Sequence, residues 1–187
     1  MINVSAMLDL YRKGLFPMGD PDSGKLYVVD PDPRTIIPLD AFHMSKTLAK
    51  KVRTRVYPTT LDASFKDVMK ACAERPRKWI TPDMEEAYLE LHRRGSAHSV
   101  EAWKEGALAG GVFGLAIGGA FMAESMFHHL TDGGESGIHQ KLGAGGLVIK
   151  PWVLIADDLP CLAISRGWLI VLITVPSFKI QKPYQIM

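Results

Sequence analysis

Between Gly95 and His128 the chain alternates apolar runs with glycine-bearing turns: AHSVEAW, KEG, ALAGGVFGLAI, GG, AFMAESMF. Runs of this length, rich in Val, Phe and Trp and cut by two short turns, predict three strands of an antiparallel meander. No other stretch constrains the fold as tightly, because a meander must bury at least one face against something else.

The partners for that face lie upstream. Ser5 is placed to cap a short helix with Met7, Leu8 and Tyr11 inward, and Gly14 stops it. GLFPMGDPDSG reads as a loop and KLYVVD as a strand, while DPDPRTIIP holds too many prolines for an element interior. Asp62 is placed to cap a second helix, in which Phe65, Val68, Met69 and Cys72 recur at i, i+3, i+4 and i+7. Thr81 and Pro82 are a cap and a first-turn proline for a third, with Met84, Ala87, Tyr88 and Leu91 on one face until Gly95. Helices followed by hairpins predict an α+β fold.

After Gly133 the pattern changes. The apolar pieces of the remaining stretch are cut at Pro151, Pro160 and Pro176, which argues against a well-formed sheet there. Its longest apolar run, Trp168 to Val175, is eight residues against the roughly 20 that span a bilayer. The 187-residue chain carries a net charge of only +2, so any nucleic-acid signal must be local. Two cysteines, Cys72 and Cys161, without a pairing motif suit a reducing compartment, and the expectation is a soluble cytoplasmic protein.

Four features could carry chemistry. Glu124 stands in an apolar run two places from Met122 and from Met126, and strict alternation would aim all three side chains one way. A buried acid is costly unless it is paired or hydrogen-bonded, so such an acid either has a task, pairs with a nearby Lys or turns to solvent. The window from Ala41 to Thr60 has no acid but holds Lys46, Lys50, Lys51, Arg53 and Arg55, which form either a phosphate-facing patch or a solvated helix face. His128, His129 and His139 have no zinc-like spacing, and no metal is expected. Gln140 to Gly145, QKLGAG, fits a loose coenzyme A loop, yet LVIKPWVLI follows where a phosphate loop would lead into a helix.

YRKGLFPM, DPDPRTIIPLDAFHMSKTLAK, KWI, AYLELHRRGSAHSVEAW, LAGGVFG and AFMAESMF together resemble the bacterial leucyl/phenylalanyl-tRNA–protein transferases, over roughly residues 3 to 132. The resemblance implies transfer of Leu, Phe or Met from aminoacyl-tRNA to proteins beginning with Arg or Lys, marking them for degradation in an N-degron pathway. It implies an acetyltransferase-like (acyl-CoA N-acyltransferase superfamily) fold with a small N-terminal lobe, no cofactor, no membrane and a monomer. The corresponding segments are residues 1–60 for the lobe, 61–132 for the first half of the catalytic domain and 133–187 for an atypical tail. It makes Glu124 the acid of the reaction centre and places Val112, Phe121 and Met126 in the aminoacyl pocket. Phe121 and Met126 are five apart, so they share one side of a strand only if a bulge intervenes. Tyr11 and Trp79 map to rings near the terminal adenosine of tRNA, and the basic window maps to acceptor-stem phosphates.

The chain also departs from the family pattern. Ala123 replaces the glycine before the acid, and Met18 replaces a tryptophan. No D-x-Q follows Glu124, although the family places there the Asp and Gln that help to activate the amine. The expectation is a tail out of frame relative to the ancestral gene, with transfer impaired. The alternatives are a non-catalytic aminoacyl-tRNA-binding remnant and a coenzyme A-dependent acetyltransferase using Gln140 to Gly145.

Overall fold

The structure is a computed structural model that describes residues 2–20, 22–30, 36–38, 46, 53–54, 57–74, 78–128 and 169–172. Among these the elements are α1 (Val4–Arg12), β1 (Phe16–Gly19), β2 (Leu26–Val29), β3 (Ile36–Pro38), β4 (Thr59–Leu61), α2 (Phe65–Ala73), α3 (Pro82–Arg93), β5 (Ala97–Lys104), β6 (Ala107–Ile117), β7 (Ala120–His128) and β8 (Leu169–Leu172). The fold class is α+β. β1 and β2 form a hairpin of their own, and the other strands form one sheet in the order β3-β8-β7-β6-β5-β4.

The meander stands where the turns place it. Glu105 and Gly106 turn β5 into β6 with φ of 52° and 78°, and Gly118 turns β6 into β7 with φ of 59°. β5–β6 and β6–β7 pair antiparallel throughout. The tail differs from expectation: β8 pairs parallel with β7 and antiparallel with β3, so part of the tail lies inside the sheet. The prolines bound this run instead of cutting it, which leaves four consecutive donors and acceptors free to pair.

Two helix starts also differ from expectation. Asn3, not Ser5, caps α1, its Oδ1 accepting from the N–H groups of Ser5 and Ala6 at 3.0 and 3.2 Å. An Asn already in extended backbone just outside the first turn satisfies two orphan donors, which Ser5, inside the helix, does not. Asp62 does not cap α2. It adopts φ of 56° and turns to the other side, where it accepts from the Ser99 N–H at 2.9 Å. Ser64 occupies the cap position without a side-chain cap bond, and Glu101 of β5 reaches the Ala63 and Ser64 N–H groups instead, at 3.4 Å each. α3 starts as read, with Thr81 Oγ1 accepting from the Met84 N–H at 3.4 Å.

One core joins the helices to one face of the meander. Met7 and Tyr11 of α1, Phe65, Val68 and Met69 of α2, and Met84, Tyr88 and Leu91 of α3 pack with Phe113, Leu115 and Met122. Gly111 makes room for α2, because a Cβ there would lie 2.9 Å from a Val68 methyl.

Candidate functional site

The site begins with a break in alternation. Along β6–β7 the register passes from Phe113↔Ser125 directly to Gly114↔Ala123, so Glu124 is the extra residue of a bulge. Gly114 permits it: a Cβ there would sit 2.2 Å from the Met122 carbonyl oxygen and 2.8 Å from the Phe121 ring. The bulge overturns the expectation that Met122, Glu124 and Met126 face one way. Met122 packs in the core, whereas Met126 stands opposite Val112 on the other side of the sheet.

The same bulge puts the three residues expected in the aminoacyl pocket on one face of the sheet. Phe121 pairs with Ala116 and Met126 with Val112, and positions 112 and 116 share a face of β6. Val112 and Phe121 are buried and Met126 half-buried, yet none of them belongs to the helix-side core.

Glu124 points the other way, toward the helices. Tyr88 Oη of α3 donates to Glu124 Oε2 at 3.0 Å, and Tyr11 Oη of α1 lies 2.9 Å from Tyr88 Oη. Both phenols are buried, and Glu124 is only 7% exposed. Burial and then the nearby carboxylate charge of Glu124 hold both tyrosine pKa values well above the ordinary phenol range. The Tyr88 ring is fixed by an edge-to-face contact with Phe113, centroids 5.2 Å apart. Glu124 thus reaches α3 from the bulge, whereas Val112, Phe121 and Met126 stand outside the helix-side core.

Tyr11 is 2% exposed in this structure. Its polar end is turned to Tyr88. Trp79 is half-buried at the start of the α3 segment, and its carbonyl accepts from the Gly19 N–H at 3.0 Å. A Cβ at Gly19 would lie 2.3 Å from that carbonyl oxygen, so this close approach requires glycine. Lys46 and Arg53 are exposed. Lys50, Lys51, Arg55 and the stretch Gln140 to Gly145 lie outside the described residues.

The sequence reading missed Tyr88, because the helical period marks it as inward-facing and says nothing about its hydroxyl. It also missed Glu101, which is fully buried on β5 and accepts from Thr60 Oγ1 at 2.6 Å and Ser99 Oγ at 2.5 Å. A third polar group joins Asp62 to His98. His98 Nδ1 lies 2.8 Å from Asp62 Oδ2, and His98 Nε2 lies 3.2 Å from the Gly95 carbonyl oxygen. The hydrogen bond with Asp62 raises the His98 pKa. Partial burial pushes the Asp62 pKa up, but the bonds from His98 and the Ser99 N–H outweigh it and lower the value.

With this geometry in place, the similarities to known proteins are specific. Residues 36–142 match the family model of the leucyl/phenylalanyl-tRNA protein transferases, which carries the likeness past Asp132. A leucyl/phenylalanyl-tRNA–protein transferase of Salinibacter ruber is 46% identical over 146 residues, covering 76% of this chain and 65% of its own. One from Rubrobacter xylanophilus is 49% identical over 127 residues, covering 67% of this chain and 66% of its own. One from Rhizorhabdus wittichii is 39% identical over 185 residues and covers 93% of this chain and 75% of its own, which takes in residues of the tail. The chain thus spans about two thirds of the length of the first two relatives.

Proposed function

The chain belongs to the leucyl/phenylalanyl-tRNA–protein transferase family, and we propose that it binds aminoacyl-tRNA and directs Leu, Phe or Met onto proteins that begin with Arg or Lys. The setting would be cytoplasmic protein turnover. No helix among the described residues is long and apolar enough to cross a membrane.

The reaction is aminolysis. The acceptor's N-terminal amine attacks the ester carbonyl carbon, the bond to the tRNA ribose oxygen breaks, and an amide forms. The surplus amine proton ends on the released ribose hydroxyl. No electrons change hands, so catalysis consists of holding the two partners and handling that proton. Val112, Phe121 and Met126 form the apolar side that suits a Leu, Phe or Met side chain, with Met126 as its adaptable member. Glu124, aimed by buried phenols, supplies the negative charge that suits the acceptor's cation. Trp79 offers a half-exposed ring for the terminal adenosine, and the window from Lys46 to Arg55 offers charge for phosphates. The fold proposed for the whole is the acetyltransferase-like one.

The observation that carries this reading is the bulge, which sets the family's acid beside a buried phenol and its apolar residues on one face. A second reading, a binding remnant with poor transfer, is favoured by one feature of the sequence: no Gln stands two places after Asp132, Asp157 or Asp158. Loss of a positioned base costs about 10²–10⁴-fold in rate. The test is transfer of labelled Leu from charged tRNA to an Arg-starting peptide, beside a peptide-free control and a relative with D-x-Q intact. A rate about a hundredfold or more below that relative supports the binding reading; rates within about tenfold mean that the tail supplies the missing group. Resequencing the locus tests the expected frame change, whose point the family match moves past residue 142; a one-base shift there should restore D-x-Q.

A further inference from the structure

We propose that Tyr88, backed by Tyr11, is a positioning residue that aims the Glu124 carboxylate at the cationic end of the acceptor protein; this rests on the role given to Glu124 above. A phenol has one hydrogen to donate, and Tyr88 gives it to Glu124 Oε2. The 2.9 Å contact between the two phenols therefore takes its hydrogen from Tyr11, whose hydroxyl also stands within reach of Glu124, so both phenols back the carboxylate.

Three features suit the chain to positioning. Its members come from three separate elements, α1, α3 and the β7 bulge, so the carboxylate is held against the body of the protein and not against its own strand. Tyr88 is immobilised by the core and by Phe113, so its oxygen is a fixed point. Burial keeps both phenols protonated, so the donors stay loaded wherever the acceptor amine is handled. A donor whose own oxygen accepts a hydrogen bond is polarised and binds the next acceptor more strongly. The bulge matters to the same end: an in-register residue would have had its direction fixed by the pleat, whereas the extra residue is free to be aimed.

The experiment uses the full chain and two peptides, one beginning with Arg and one beginning with citrulline, its neutral isostere. Binding of each is measured for wild type, Tyr88→Phe, Tyr11→Phe and the double variant. Wild type should favour the Arg peptide by about tenfold, as expected for one charge-assisted contact. Tyr88→Phe should bring that preference to within about twofold while leaving citrulline binding unchanged. Loss of both affinities together marks a merely structural role and overturns the inference. Tyr11→Phe guards against a Tyr88 variant that does not fold: as the second phenol beside Glu124, it should lower the preference by a smaller factor. Wild-type preference retained in Tyr88→Phe, or in Tyr11→Phe where the other variant fails to fold, overturns positioning and leaves the role of Glu124 standing. A wild type that binds both peptides alike overturns the role of Glu124 and the inference with it.

Discussion

Two carboxylates point from the meander toward the helices, and they differ in who donates to them. Glu101 stands in regular register on β5 and accepts from Thr60, Ser99, Ala63 and Ser64, all groups of β4, of the β4–α2 connection or of its own strand. The Trp103 indole N–H extends that set through Thr60 Oγ1 at 2.8 Å. Glu124 stands out of register on β7 and accepts from a phenol on α3. The donors of Glu101 are the backbone and hydroxyl groups it ties together, so its charge is spent on the fold. The phenols beside Glu124 come from α1 and α3 and suit the proposed aiming of its carboxylate. Burial alone does not separate a structural acid from the acid proposed to bind the acceptor; the donors on each side suggest where to test the difference.

The largest effect that would sharpen the contrast is Glu101→Ala. It strands two hydroxyls and two N–H groups in the interior, at about 1–3 kcal/mol for each that stays dry. The expected loss is on the order of 4 kcal/mol, read from the midpoint of urea unfolding, with no change in the slope. A loss below about 1 kcal/mol would remove Glu101 from the structural side of the comparison.

Gly114→Ala should follow. A methyl carbon 2.2 Å from the Met122 carbonyl cannot be accommodated without moving β7, and overpacking of this kind costs about 1–3 kcal/mol. The bulge should shift with it, so the amide signals of residues 122–125 should move while those of β5 stay. Unchanged signals would mean that the bulge does not depend on this glycine.

The sequence made the frame of the molecule legible, and the physical reason is local. Turns at Gly106 and Gly118 and the cap at Thr81 are decided by residues within a few positions, so β5, β6, β7 and α3 follow from reading in order. Strand alternation predicts sides only while the register is unbroken, and one extra residue at Glu124 reverses everything after it. Asp62 looked like a cap because it precedes a helix, but Ser99 and His98 compete for it from a strand 36 and 37 positions away. Tyr88 and Tyr11 meet at a separation of 77 residues, and no local pattern announces that.

A smaller effect belongs to Asp62 and His98, which pin the same β4–α2 connection as Glu101 through charge. Both His98 nitrogens face acceptors, an arrangement that favours the protonated ring. Among the described residues, His92 of α3 also faces Asp62, with Nδ1 3.8 Å from Oδ1. The raised His98 value means its contribution is full below about pH 6.5 and is lost as pH rises through the folded-state value. The lowered Asp62 value means its contribution is present above about pH 3.9 and is lost as pH falls through the folded-state value. His98→Gln should therefore lower stability by about 1 kcal/mol or less near pH 5.5 and by less at pH 9. An equal loss at both values would show that the pair acts by packing, not by charge.

The most direct test of the distinction between the two acids is the thermal midpoint of wild type and of Glu124→Gln, each with and without an Arg-starting peptide at about a hundredfold excess over its Kd. Bound peptide at that level stabilises the folded chain by about 2.7 kcal/mol, a rise of several degrees for a domain of this size. Glu124→Gln should melt at nearly the wild-type midpoint alone and show little of the rise at the same peptide concentration. A variant that melts many degrees lower by itself, yet rises with peptide as wild type does, would make Glu124 a second Glu101 and contradict the account.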